Sequence, residues 1–246
     1  MTSTPRLTLL QTRPDLALLF QWAQATGQAA LRDDPGYALH AAARAALGEF
    51  APKPFVLVQR PQAPALFVGY TAADPADLER AAAFSTVDPL ATHALGLASL
   101  QARALPSDWC VGERLRFEVR AAPVVRSRAQ PGGGYPEIDA AHHPSFGGPG
   151  IDREAAYVSW LTRELARDDA AGLQSAGLQA FSLQTTARRA FQADGPRRTQ
   201  RGLLPDVTLR GLLEVRDPAA FQRLLARGVG RHRAFGFGCL LLAPGI

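Results

Sequence analysis

At 246 residues, 47% apolar and 20% charged, the chain can fill one large core or two of ordinary size, which excludes disorder and collagen-like repeats. No apolar run reaches the roughly 18 residues that span a bilayer, and Met1 to Leu10 lacks a basic start followed by a signal-like apolar stretch. A soluble, cytoplasmic protein with no membrane partner is expected. The net charge of +5 is unevenly spread: residues 181–246 carry 11 basic and 4 acidic side chains, while the rest is nearly balanced. All basic residues but Lys53 are arginine, whose planar fork suits phosphate and guanine. Cys110 and Cys239 lie in apolar surroundings without CxxC spacing, so both are expected to be buried free thiols.

In chain order, Arg6 to Thr12 reads as a strand and Pro14 to Ala29 as an apolar helix. A break at Asp33, Asp34, Pro35 and Gly36 precedes a second helix, Tyr37 to Phe50, ended by Pro52 and Pro54. Phe55 to Gln59 and Leu66 to Tyr70 are β-rich runs around a turn-like PQAP. Asp74-Pro75 forms an N-cap and first-turn pair opening a helix through Phe84, and Gly96 to Leu105 supplies a last strand.

The order βαββαβ then repeats after a linker near Pro106 to Gly112. Arg114 to Val125 alternates as a strand does, and Pro131 to Gly150 reads as a long Gly- and Pro-rich loop. Asp152 caps a helix through Arg167 with Val158, Leu161 and Leu165 on one face. Leu178 to Phe191 and Leu203 to Val215 read as hairpin strands joined by the basic connector ADGPRRTQR. Asp217-Pro218 opens a helix with Phe221, Leu224 and Leu225 inward, and GVGRHRAFGFG leads into the strand Cys239 to Leu242. The expectation is an α+β chain of two tandem ferredoxin-like (RRM-like) βαββαβ domains, residues 1–105 and 112–246.

Three segments can carry chemistry. On the second helix Tyr37, His40 and Arg44 fall within about 60° of one another, beside an apolar stripe of Leu39, Ala43, Leu47 and Phe50. An imidazole, a phenol and a cation on one edge suit phosphodiester cleavage, which must remove one proton, deliver another and offset the phosphate's charge. The same residues also fit a helix that merely rims its core. The loop Gly228 to Gly238 holds Gly228, Gly230, Arg231, His232, Arg233, Gly236 and Gly238. It reads either as a phosphate-contacting loop or as a structural turn. It is no dinucleotide fingerprint, because it follows a helix and leads into a strand. The third segment sets Arg188, Arg189, Arg197, Arg198 and Arg201 against Asp194 alone, fitting either an RNA-tracking hairpin or a solvated face. His142 and His143 have no acidic or thiol partner at ligand spacing, so no metal site or cofactor is expected.

GYALHAAARAALGEFAPKPF, RLRFEVRAAPVVR and DPAAFQRLLARGVGRHRAFGFGCLLLAP together resemble the CasE (Cse3) family of type I-E CRISPR systems, and the likeness spans nearly the whole chain. It implies two ferredoxin-like domains and a metal-independent endoribonuclease that cuts precursor CRISPR RNA at the 3′ base of the repeat stem-loop. The implied products are a 2′,3′-cyclic phosphate and a 5′-hydroxyl, with the CRISPR RNA retained and carried into a Cascade-type complex with other subunits.

By this resemblance Tyr37 and His40 are catalytic. The implied RNA contacts are Arg44, Arg126, Arg128, the five connector arginines, and the Gly, Arg and His residues of the 228–238 loop. Many relatives place a basic residue directly after the histidine; here that position is Ala41, leaving Arg44, one turn on, to take its part. A non-catalytic guide-binding subunit, or the equivalent nuclease of a type IV system, would share these features. The residues also leave open whether His40 acts as base or acid.

Overall fold

The computed structural model describes residues 6–27, 34–84, 87–127, 136–147, 150, 152–190 and 198–245, with the backbone alone for 185–190 and 198–202. In the first half β1 (Thr8–Thr12) is followed by α1 (Leu16–Ala25) and α2 (Pro35–Leu47). Then come β2 (Phe55–Val58), β3 (Leu66–Thr71), α3 (Pro75–Ala83), α4 (Pro89–Ala94) and β4 (Gln101–Ala104). The antiparallel order β2-β3-β1-β4 is that of a ferredoxin-like sheet. The second half holds β5 (Arg114–Ala121), β6 (Val124–Arg126), β7 (Glu137–Asp139), α5 (Arg153–Leu165), β8 (Ala171–Ala190), β9 (Arg198–Val215), α6 (Pro218–Arg227) and β10 (Leu240–Pro244). Its main sheet, β10-β5-β9-β8, repeats the same topology, so the tandem ferredoxin-like reading is borne out.

The first sheet is buried on both faces along β2 and β3, which are apolar on both. Leu10, Phe55, Leu57 and Phe67 pack with Leu19, Leu39 and Leu78 of the helices. Leu7, Val56, Val68 and Tyr70 instead join a cluster with Phe221, Leu224 and Leu240 of the second half. Tyr70 seals this seam by donating its hydroxyl to the Leu240 carbonyl at 2.5 Å. That sheet therefore has no open face on which nucleobases can stack, the usual mode of RNA-binding sheets. The second sheet's outer face carries Arg114, Arg116, Glu118 and Arg120, the alternate residues of β5.

Several elements differ from the sequence reading. Helix α2 starts at Pro35 rather than Tyr37, because Asp34 accepts a hydrogen bond from the Tyr37 N–H at 3.0 Å and proline suits the first turn. It ends at Leu47, and a 3₁₀ turn covers Gly48–Phe50. Helix α4 was not expected; Asp88-Pro89 repeats the capping signal, with Asp88 accepting from Ala91 N–H at 2.9 Å. The run 114–125 breaks at Ala122-Pro123, where proline cannot continue the ladder, and β6 turns away to pair with β7 inside the expected loop. Helix α5 stops at Leu165 instead of Arg167. Strands β8 and β9 are longer than expected and take in part of the basic connector, with Arg188 opposite Gln200 and Ala187 opposite Arg201. Cys239 is buried as expected, whereas Cys110 is exposed, because its neighbour Trp109 takes the apolar place against Phe221. The Trp109 indole N–H donates to Gln222 there at 2.7 Å. No helix among the described residues is long and apolar enough to cross a membrane.

Tyr70→Phe removes the seam's buried hydrogen bond and leaves the ring in place. A stability loss of about 1 to 2 kcal/mol is expected in urea unfolding, with the denaturant slope unchanged. An unchanged midpoint would show that the seam does not depend on this bond.

Candidate functional site

The first turn of α2 rests directly on the C-terminal glycine-rich loop. A Cβ added to Gly36 would lie 2.0 Å from the Phe235 carbonyl oxygen, so only glycine permits this approach. The Phe235 ring stacks on Tyr37 with centroids 5.3 Å apart and planes 6° from parallel. His40, one turn further, meets the same ring edge-on at 6.2 Å and 78°. The structure thus brings Tyr37 and His40 together on one aromatic from the opposite half of the chain.

His40 is half-buried, and its Nδ1 is enclosed without a hydrogen-bond partner. Nε2 is therefore the nitrogen left to meet a ligand. Burial holds its pKa below the ordinary value of 6.5, and the charges of Arg44 and Lys53 lower it further. The imidazole is neutral at pH 7, able to accept a proton, with two exposed cations beside it. Arg44 thus lies where its helical spacing predicts. Lys53 was missed, because only tertiary packing carries the segment before β2 against α2.

The loop is rigidly tied. His232, at φ 60°, bonds through Nε2 to Glu137 Oε2 at 2.6 Å, and Arg231 Nε donates to Glu137 Oε1 at 2.6 Å. The His232 side chain is only 4% exposed, which makes it a positioning residue rather than a surface ligand. Burial pushes the Glu137 carboxyl up, yet the hydrogen bonds and charges of His232 and Arg231 outweigh it and bring it down to about 2. Arg233 Nη1 donates to the Arg227 carbonyl at 2.7 Å, closing the end of α6, where Gly228 is the cap. Gly236 and Gly238 take φ of 86° and 77°, and Gly238 N–H donates to the Arg120 carbonyl at 2.7 Å. Gly230 N–H donates to Glu164 at 3.3 Å, and its Cα faces Trp160. The loop's glycines therefore serve its own folding, and the N–H groups of Gly230 and Gly238 are already engaged.

Arg120, also missed, sits under the loop: its guanidinium holds Asp206 at 2.6 and 2.9 Å, reaches Gln184 at 2.9 Å and lies 4.7 Å from the Phe237 ring centroid. Its signal was the outward alternation of RLRFEVR. Glu137 had none, lying inside an expected loop. Arg126 ends β6 and, with Arg231, borders a cavity against α5. Arg128 and Arg197 fall outside the described residues, as do the side chains of Arg188, Arg189, Arg198 and Arg201.

Two ferredoxin-like units joined by a shared apolar seam, with a neutral imidazole and two cations where they meet, define a tandem ferredoxin-like protein whose polar site needs both halves. The chain belongs to the CRISPR-associated protein family, whose model matches residues 17–244. The resemblance to CasE is thereby borne out. Among solved structures it is similar to Thermus thermophilus Cse3 bound to an RNA representing a pre-cleavage complex: 21% identity, TM-score 0.61, covering 97% of this chain and 100% of that one. It is similar also to Cas6e from Escherichia coli K-12, with 21% identity, TM-score 0.52 and coverage of 97% and 99%. A chain of a CRISPR RNA-guided surveillance complex matches at 20% identity and TM-score 0.56, covering 96% and 99%. No curated protein sequence matches.

The depressed Glu137 carboxyl makes a testable link to pH. Its folded pKa lies below the unfolded value of 4.5, so its contribution is complete above about pH 5 and lost as pH falls toward 2. The expected loss is on the order of 2 to 3 kcal/mol in urea unfolding between pH 6 and pH 2.5, and Glu137→Gln should flatten that part of the profile. Parallel profiles for the two proteins would contradict the link.

Proposed function

We propose that this protein is a metal-independent endoribonuclease that binds the repeat stem-loop of precursor CRISPR RNA and cleaves at its 3′ base. The carrying observation is the neutral, half-buried His40 beside Tyr37, with Arg44 and Lys53 next to it. His40 takes the proton of the 2′-hydroxyl, whose oxygen attacks the adjacent phosphorus. The bond to the 5′-oxygen breaks, and that oxygen leaves with a proton as the 5′-hydroxyl. The other product keeps a 2′,3′-cyclic phosphate. Tyr37 orients the reacting groups or supplies the leaving oxygen's proton, and Arg44 and Lys53 offset the phosphate's charge. The nucleophile belongs to the substrate and is held beside its phosphate, so positioning supplies much of the rate.

Residues 1–105 contribute the reacting side chains, and residues 112–246 hold the RNA. The binding set is Arg126, Arg128, Arg188, Arg189, Arg197, Arg198 and Arg201, ordered around the Gly228–Gly238 loop. RNA-bound Cse3 and the surveillance-complex chain, alike in fold, support retention of the mature guide and assembly with other subunits of a Cascade-type complex.

The test uses single-turnover cleavage of the cognate repeat hairpin in excess EDTA. Wild type should cut, and His40→Ala should be slower by about 10² to 10⁴ with affinity within a few-fold. The acid limb of the rate should have its midpoint below 6.5, since His40 must be neutral. RNA with a 2′-deoxy nucleotide 5′ to the scissile phosphate should bind and remain intact. Cleavage of the deoxy RNA, or activity that returns only with magnesium, would overturn the mechanism. Tight binding without cleavage of natural RNA would favour a guide-protecting subunit.

A further inference from the structure

The other end of the glycine-rich loop borders a separate cavity of about 160 Å³, walled by β6, α5 and Gly230-Arg231. Among the described residues four arginines line it: Arg126, Arg163, Arg167 and Arg231. The described lining has one carboxylate, Glu164, which is already engaged by Arg167 at 3.3 Å and by the Gly230 N–H at 3.3 Å. Arg231 is balanced by Glu137 outside the cavity. Arg163 has no carboxylate partner among the described residues; its guanidinium lies 4.9 Å from the Phe146 ring centroid, which leaves its donors available to a ligand.

Beyond the lining, Arg227 lies within the field of Arg167, Glu164, Asp168 and Arg233, and its Nη2 is enclosed with no hydrogen-bond partner. Arginines thus outnumber carboxylates in the described lining of this concavity, and Arg163 has donors left over. Like charges gathered at one concave place repel one another, and an anion seated among them relieves that repulsion.

We propose that this cavity is a second phosphate site, a seat for one phosphodiester of single-stranded RNA flanking the repeat hairpin, distinct from the scissile phosphate beside His40. The inference rests on the RNA-processing reading above. The cavity's shape favours a single strand over the stem: a concave seat between a short hairpin, a helix and a loop admits a bent, unpaired strand more readily than the regular surface of an A-form duplex. Arg163 and Arg167 give the guanidinium pair, and Arg126 and Arg231 continue it toward the loop.

The test compares Arg163→Gln and the double substitution Arg163→Gln, Arg167→Gln with wild type, on the cognate hairpin alone and on the hairpin with its single-stranded flanks. For the flanked RNA the double variant should bind about tenfold more weakly. Its salt slope should fall by roughly 0.7, as expected when one phosphate of a single strand is no longer neutralised by the protein. Arg163→Gln, which leaves the Arg167–Glu164 pair intact, should show part of the same weakening at an unchanged melting temperature. The hairpin alone should be bound equally by all three proteins. Equal weakening on both RNAs, or an undiminished slope on the flanked RNA with Arg163→Gln, would overturn the proposal. Failure of wild type to bind either RNA would refute the RNA-processing reading instead.

Discussion

The site depends on one contact, the seating of the α2 first turn on the backbone and ring of Phe235. Asp34 fixes where that turn begins, Gly36 removes the side chain that would strike the Phe235 carbonyl, and Tyr37 then lies parallel to the ring. His40 follows at one helical turn because a helix returns to the same face every three to four residues. Each half supplies part of this arrangement, and neither contains it alone. The Tyr70 hydroxyl on Leu240 and the apolar seam hold the two halves in register for it.

The same packing sets the chemistry. Enclosing one side of the imidazole lowers its proton affinity, and the cations that would offset a phosphate's charge lower it further. Tuning of the base and stabilisation of the phosphate are thus linked through Arg44 and Lys53: a substitution that neutralises either cation removes charge stabilisation and also raises the His40 pKa. The Glu137 carboxylate performs the corresponding task for the loop. It holds His232 and Arg231 at one end, so that Phe235, three residues on, has a fixed place to stack.

Much of the architecture was legible because its signals are local. Two-residue alternation marked β5, and Asp-Pro pairs opened α3 and α6. Elements too short to show a period were not legible: α4 has six residues, β7 has three within a stretch whose Gly and Pro content resembles a loop, and the three residues of β6 read as a continuation of β5. At the site, the helical spacing of Tyr37, His40 and Arg44 was visible. Lys53 and Glu137 were not, because each acquires its role from a partner distant in sequence, and Arg120 showed only the outward alternation of its strand. The loop glycines were noticed for the approach they could give a phosphate, whereas the structure uses them to pack against Trp160, Pro54 and the Val229 carbonyl.

Phe235→Ala tests the central contact most directly, since it removes the ring shared by Tyr37 and His40 without touching either. Single-turnover cleavage of the repeat hairpin at saturating enzyme should slow by on the order of 10², the scale expected when reacting groups are misplaced by about 1 Å, with affinity within a few-fold. Cleavage at the wild-type rate by a folded Phe235→Ala protein would show that Tyr37 and His40 do not depend on the loop, and the account would fail.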